Sequence, residues 1–366
     1  MKYQKEIHKL KRKGLFARIG PGFITGAADD DPSGIATYSQ TGAQFGYGQL
    51  WVALFSLPFM AAVQEMCGRI GLVTGRGLSG VIRKHYSKKI LYFAVIFLVL
   101  ANTINIGADL GAMASAANLV FGLPFLFWIL VITFATLSLE IFVSYPKYSK
   151  ILKYLTLSLF AYPFTAFVIH QNWGQIIFAT FIPHITFSRE YFLNITAFLG
   201  TTISPYLFFW QTGAEVEEEI ESHKLGAIGV GALKITKKDI KNMRADTFFG
   251  MSFSNLIAFF IIIVTASTLG AHGITTISTA AQAAEALRPI AGNFAFGLFA
   301  IGIIGTGLLA VPILAGSASY AVSEALRWRG SLYLKFNQAH GFYGVIALSM
   351  FVGLAINFLG IPPFRM

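Results

Sequence analysis

Apolar residues run through this chain in stretches of about 20, the length a helix needs to cross the hydrocarbon core of a bilayer. Nine such stretches are readable, at residues 17–44, 47–71, 90–118, 124–145, 148–169, 191–220, 247–269, 293–323 and 341–361. The pattern predicts an all-α polytopic membrane protein. Two of the stretches carry polar residues and helix breakers at mid-span, where unsatisfied backbone and charge are costly in lipid. The first reads GPGFITGAADDDPSGIATYSQTGAQFG, with Asp29, Asp30, Asp31, Pro32 and Gly34 near its centre. The sixth reads FLGTTISPYLFFWQTGAEVEEE, with Gly200, Thr201, Thr202, Ser204 and Pro205 in a similar place.

Proline removes a backbone donor and clashes with the preceding turn, so each of these spans is predicted to unwind and expose carbonyl oxygens. Pro32 and Pro205 lie 173 residues apart, and the second break falls five spans after the first. That spacing is the signature of a five-plus-five inverted repeat, with an ion or substrate held near the midplane between two unwound segments. The competing picture places Asp29 to Asp31 in an outer loop and makes Pro205 an ordinary kink. On the repeat reading, residues 1–170 form the first repeat, 190–366 the second, and 222–246 a cytoplasmic loop. Ten helices are needed and nine are readable, so this reading expects the second repeat to lack its fifth helix. A partner or a further segment would complete that surface.

Composition sharpens the class. Charged residues make up 12% and hydrophobic ones 55%, against a soluble norm of roughly 25% charged. The single cysteine, Cys67, excludes a disulfide framework and a cysteine-based zinc site. A net charge of +11 would suit a nucleic-acid partner, so the placement of the basic residues decides. With the N-terminus inside and the spans alternating, 25 of the 28 Lys and Arg fall on the inner side, leaving Arg189, Arg288 and Arg365 outside. This is the positive-inside distribution, and it makes the charge a topological signal with the lipid bilayer, not nucleic acid, as the partner. The opening MKYQKEIHKLKRKG has no apolar core of a cleavable signal, which keeps the N-terminus cytoplasmic in an integral cell membrane. GRGLSG at 75–80 matches a dinucleotide pattern without its strand–helix context and reads as chance. No P-loop, H-E-x-x-H or G-x-S-x-G motif is present, so neither an enzyme nor a cofactor is expected.

The runs GPGFITGAADDDPSGIATYSQTGAQFGYGQLW, QEMCGRIGLVTGRGL and TTISPYLFFWQ resemble the Nramp family of divalent-metal transporters, which have the LeuT-type fold. In that family the first broken helix carries D-P-G-N and the sixth A-x-x-M-P-H. The resemblance makes Asp31 the metal-binding aspartate, Thr201 the carbonyl donor and Gln64 the second-helix glutamine. The family asparagine falls on Gly34 and its methionine on Ser204, which resembles the Nramp-related magnesium transporters. A thioether is a soft ligand and a hydroxyl a hard one. Magnesium keeps several waters when it binds, so a wider, all-oxygen pocket suits it, with manganese also accepted.

The resemblance also bears on coupling. The family histidine of the proton path is Tyr206 here, the third helix has Asp109 but Ala112 in place of a glutamate, and the ninth span has no arginine. Weak or absent proton coupling is therefore expected. An inside-negative potential favours divalent entry by about 4.6 kcal/mol per 100 mV.

The remaining polar residues admit two readings each. Glu65 pairs with Arg69 one turn later or stands near the metal. Asp109 is a functional candidate as an intramembrane carboxylate, or it pairs with a neighbouring hydroxyl. Asp30 attracts cations at the mouth or caps the half-helix after the break. The acidic run from Glu215 to Glu221 reads as a solvated helix end beside the basic loop, or as a cytoplasmic vestibule that lowers the energy of an exiting cation, and the seven histidines form no group. A proton-coupled manganese or iron importer is the alternative within transport. A sodium-coupled organic-solute transporter of the same fold is the second alternative, disfavoured by three consecutive aspartates that would repel a substrate carboxylate.

Overall fold

The computed structural model describes residues 20–143, 145–229 and 235–359. Among them the regular structure is helical. Helices α1 (Pro21–Asp29) and α2 (Pro32–Phe45) are the halves of the first broken span, followed by α3 (Leu50–Thr74), the short α4 (Leu78–His85), α5 (Lys88–Phe121) and α6 (Phe125–Phe142). Next come α7 (Tyr145–Leu155), a 3-10 turn at Thr156–Phe160, α8 (Ala161–Val168) and α9 (Trp173–Phe181). The second broken span is α10 (Arg189–Thr202) and α11 (Pro205–Glu221), and α12 (Lys237–Ser267), α13 (Ala280–Leu326) and α14 (His340–Ile356) follow.

Among the described residues seven helical stretches are long and apolar enough to cross a membrane: Leu50–Thr74, Lys88–Phe121, Phe125–Phe142, Lys147–Val168, Arg189–Glu221, Lys237–His272 and Ala280–Leu326. The first predicted span is divided between α1 and α2, and the ninth is a helix of 17 residues. The exterior is apolar, as a lipid-facing surface must be: Phe59, Phe93, Phe142 and Phe187 are 65–88% exposed. The interior is built on α12 and α13, where Ile261, Ile262, Ile263, Ile313 and Leu314 are fully buried.

Three boundaries differ from the sequence reading. The predicted loop 222–246 is helical from Lys237, because Thr236 and Asp239 form a capping box that starts α12 ahead of its apolar stretch. Helix α13 begins at Ala280 and breaks at Gly292, whose φ is 83°, so the predicted span 293–323 is its second part. Helices α4 and α9 lie in segments read as connectors. The basic N-terminal residues lie outside the described residues.

Candidate metal site at the two helix breaks

Both breaks are built alike. A half-helix ends at Asp30 (φ −85°, ψ 51°) or Ile203 (φ −116°, ψ 64°), one extended residue follows, and a proline opens the next half-helix. Proline suits that first position because its missing N–H has no intrahelical partner to lose and its φ is preset. The extended residues are Asp31 and Ser204, two of the residues the sequence singles out.

Asp31 caps α2. Its Oδ1 accepts from Gly34 N at 2.6 Å and Ser33 Oγ at 2.7 Å, and its Oδ2 accepts from Asn105 Nδ2 at 2.8 Å. Asp109 meets the same half-helix end, its Oδ1 accepting from Ser33 N at 3.1 Å. Two buried carboxylates thus share the positive end of α2, where a helix dipole favours negative charge. The Tyr206 hydroxyl donates to the Ala28 carbonyl at 2.8 Å and lies 3.5 Å from Asp31 Oδ2. Asp29 is held by the Ser254 hydroxyl at 2.9 Å.

Gly34 sits against three oxygens of the candidate site. A Cβ there would lie 3.2 Å from the Asp29 carbonyl oxygen, from Asp31 Oδ1 and from Thr201 Oγ1. The position without a side chain is therefore closely ringed by three oxygens drawn from both breaks. Across the site, the Ser204 hydroxyl donates to the carbonyls of Thr201 at 2.7 Å and Gly200 at 2.9 Å. Among the described residues no three carboxylate, imidazole or thiolate groups converge as a metal cluster. The oxygen set is one carboxylate supplemented by carbonyls and hydroxyls, which suits a hard cation held loosely.

Two cavities reach this point. One of about 460 Å³ is lined by Ser33, Asn105 and Thr201 and by Phe125 and Ser278 at one end of the bundle. The other, about 680 Å³, is lined by the same three residues with Ser204, Tyr206 and Phe97. Helix α1 is packed tightly against α12. Asp246 of α12 accepts from the first amides of α1, Gly20 N at 2.9 Å and Gly22 N at 2.8 Å. A Cβ on Gly22 would stand 2.7 Å from the Thr247 Cα, and one on Gly26 would overlap the Gly250 backbone. The two helices touch backbone to backbone there, and only glycine permits it.

Gln64 and Glu65 are not brought to Asp31. The Gln64 amide donates to the Leu207 carbonyl at 2.9 Å and to Gln211 Oε1 at 2.8 Å, and Gln211 donates to Thr247 Oγ1 at 2.8 Å. This polar chain ties α3, α11 and α12 together beside the α1–α12 contact. Glu65 pairs with Arg69 and with Arg244. Asp30 is neither at a mouth nor a cap: it is buried, and its carboxylate oxygens have no hydrogen-bond partner, while Asp31 does the capping. The acidic run is also not a solvated end. Glu217 is fully buried and accepts from Tyr320 Oη at 2.7 Å, Ser331 Oγ at 2.8 Å and Leu332 N at 2.8 Å, because the segment after α13 folds over α11.

Asn105, Ser33 and Ser254 were not singled out by the sequence. Asn105 had a usable signal: it precedes Asp109 by four residues, one helical turn on the same face.

A family model described as natural resistance-associated macrophage protein-like (Nramp) matches residues 22–366. Among curated proteins, the divalent metal cation transporter MntH of Caldanaerobacter subterraneus is 25% identical over 309 residues, covering 80% of this chain and 71% of that one. MntH of Agrobacterium fabrum is 26% identical over 286 residues, 75% of this chain and 59% of that one. The metal transporter Nramp3 of Oryza sativa is 25% identical over 271 residues, 72% and 46% of the two chains. Among solved structures, the Eremococcus coleocola manganese transporter, in complex with an aromatic bis-isothiourea substituted compound, superposes with a TM-score of 0.67 at 17% identity. That superposition covers 96% of this chain and 78% of that one. Mhp1, a nucleobase-cation-symport-1 family transporter, gives 0.63 at 10% identity, covering 94% and 72%. These likenesses give the chain the LeuT-type fold, and the match across nearly its whole length shows that it belongs to the Nramp family of divalent metal transporters.

Proposed function

We propose that this chain moves a divalent metal cation across the membrane by alternating access around Asp31, taking magnesium and also manganese, with weak or no proton coupling. The observation that carries the magnesium reading is the all-oxygen surround of Gly34, where three oxygens from two helix breaks stand 3.2 Å from the point a Cβ would occupy. Neither an amide nor a thioether projects from positions 34 and 204. A cation that retains waters fits such a set better than one that sheds them. In this reading the two breaks belong to the repeats 1–170 and 190–366, and the N-terminus is cytoplasmic.

The cavity that runs from Ser33, Asn105 and Thr201 to Phe125 and Ser278, with the packed α1–α12 contact at the far end of α1, supports a state accessible from that side. Transport to the other side requires α1 to leave Asp246 and the Thr247–Gly250 surface. Asp31 supplies the charge, and the Thr201 carbonyl supplies a dipole from the other break.

The second reading is a proton-coupled manganese importer. It draws on the names of the relatives and on Asp109, whose Oδ2 has no hydrogen-bond partner. The two are separated by uptake into proteoliposomes supplied with magnesium, manganese or calcium, with a lumenal pH dye recording protons. Magnesium entry without acidification is the expected result. Manganese entry alone, with acidification, would establish the second reading instead.

A further inference from the structure

Four arginines converge on a cavity that metal transport leaves unused. It measures about 630 Å³ and lies between α4, the 226–229 turn and the segment joining α13 to α14, with Arg76, Arg83, Arg327 and Arg329 in its lining. Among the described residues none of the four forms an ion pair with a carboxylate. Arg76 donates to the Gly229 carbonyl at 3.4 Å and Arg83 to the Glu324 backbone carbonyl. Both are held in place by backbone carbonyls, and the nearby Glu324 carboxylate offsets only part of the charge of the four.

The single carboxylate in the lining is already engaged. Glu324 accepts from Gly77 N at 2.7 Å and from Gly80 N at 2.9 Å, so the glycine-rich turn of GRGLSG holds an internal carboxylate at the start of α4. Four guanidinium groups therefore face one carboxylate that is saturated by backbone donors.

The aromatic residues around the cavity point to the source of an anion that would balance this charge. Trp328 and Tyr333 line the same space and are 49% and 42% exposed, at the junction of two membrane helices. Trp and Tyr concentrate where a bilayer meets water, and basic pockets between span ends at that level bind lipid headgroups. Guanidinium groups match phosphate oxygens in pairs. We propose that this cavity binds a phosphate-bearing anion, supplied by the headgroup of an anionic phospholipid, which bridges α4 to the α13–α14 segment.

The test is native mass spectrometry of the full chain in detergent, titrated with phosphatidylglycerol. Phosphatidylcholine serves as the neutral lipid, and inorganic phosphate and ATP as soluble phosphates. Saturable binding of phosphatidylglycerol over phosphatidylcholine is expected. It should weaken about 30-fold in the Arg327→Gln/Arg329→Gln variant, from the loss of two charges near the membrane surface. The Arg327→Lys/Arg329→Lys variant keeps the charges and should bind within about 5-fold of the wild type. The Lys88→Gln/Lys89→Gln variant removes two charges outside the cavity and should bind as the wild type does. Equal binding of the two lipids, or equal losses in the arginine and lysine Gln variants, would overturn the site. Saturable binding of ATP or inorganic phosphate without preference for phosphatidylglycerol would overturn the lipid source.

Discussion

The two helix breaks share a backbone plan and differ in where their polar atoms go. At the first, the side chains reach outward: Asp31 is held in part by Asn105 of α5, Asp29 by Ser254 of α12, and Asp109 of α5 comes to the Ser33 amide. At the second, the Ser204 hydroxyl turns back onto the carbonyls three and four residues before it. The first break thus collects charge from a distance, while at the second the Ser204 hydroxyl satisfies itself locally and Tyr206 reaches across to the first. On the proposed reading a cation between them is attracted by one side and shaped by the other, so substitutions at the two breaks should differ sharply in severity.

The largest expected effect tests the charged side. Asp31→Asn keeps the volume of the side chain and a carbonyl oxygen, and removes only the charge. Interactions with a charged group reach the upper end of about 1.5–3 kcal/mol, so metal uptake should fall at least about 100-fold. Wild-type uptake by this variant would place the ion elsewhere. Gly34→Asn comes next, because its Cβ must enter a space where three oxygens already stand at 3.2 Å. Magnesium uptake should drop about 10-fold, as an ion that dehydrates reluctantly loses room for its waters, and manganese, which gives them up more readily and accepts an amide ligand, should drop less. A parallel fall for both metals would show that the added atoms disturb the fold and not the choice of ion.

How much of this is legible in the sequence follows from the cost of charge in lipid. Asp31 and Asp109 stand out because a carboxylate in an apolar span demands a reason, and Pro32 and Pro205 mark the breaks by removing a backbone donor. Asn105, Ser33 and Ser254 do not stand out, since amides and hydroxyls are common on membrane helices and satisfy themselves on neighbouring carbonyls. The burial of Glu217 was illegible for another reason: its partners at Ser331 and Leu332 are 114 and 115 residues away, and nothing local announces that the segment folds back. Helix α12 begins ten residues before its apolar stretch for a local reason, the Thr236–Asp239 cap, which hydropathy alone passes over.

Asn105→Ala probes the support of the carboxylate. It strips Asp31 Oδ2 of its 2.8 Å donor, a hydrogen bond to a charged acceptor, and leaves Ser33 and Gly34 to position the other oxygen. The half-saturating metal concentration should rise about 5- to 10-fold, from roughly 1–1.4 kcal/mol of lost positioning. Asn105→Asp makes the complementary point, since a second carboxylate beside Asp31 repels it in the empty site and draws closer to it when the cation is present. An unchanged half-saturation in the alanine variant would show that Ser33 and Gly34 alone fix the carboxylate.

The smallest expected effect lies at the second break and is the sharpest test of the asymmetry. In Ser204→Ala the hydroxyl that bonds the Gly200 and Thr201 carbonyls is gone, while the proline that opens α11 and the unwound backbone remain. Those two carbonyls face a break already lined by cavity, where water can replace the donor. Half-saturation should therefore move by no more than about 2-fold, as for the loss of one neutral hydrogen bond with water available. A 10-fold change would mean that the hydroxyl leaves its local partners to meet the ion in the loaded state. The second break would then be a ligand-bearing element like the first, and the division between a charged side and a self-satisfied side would hold only for the empty transporter.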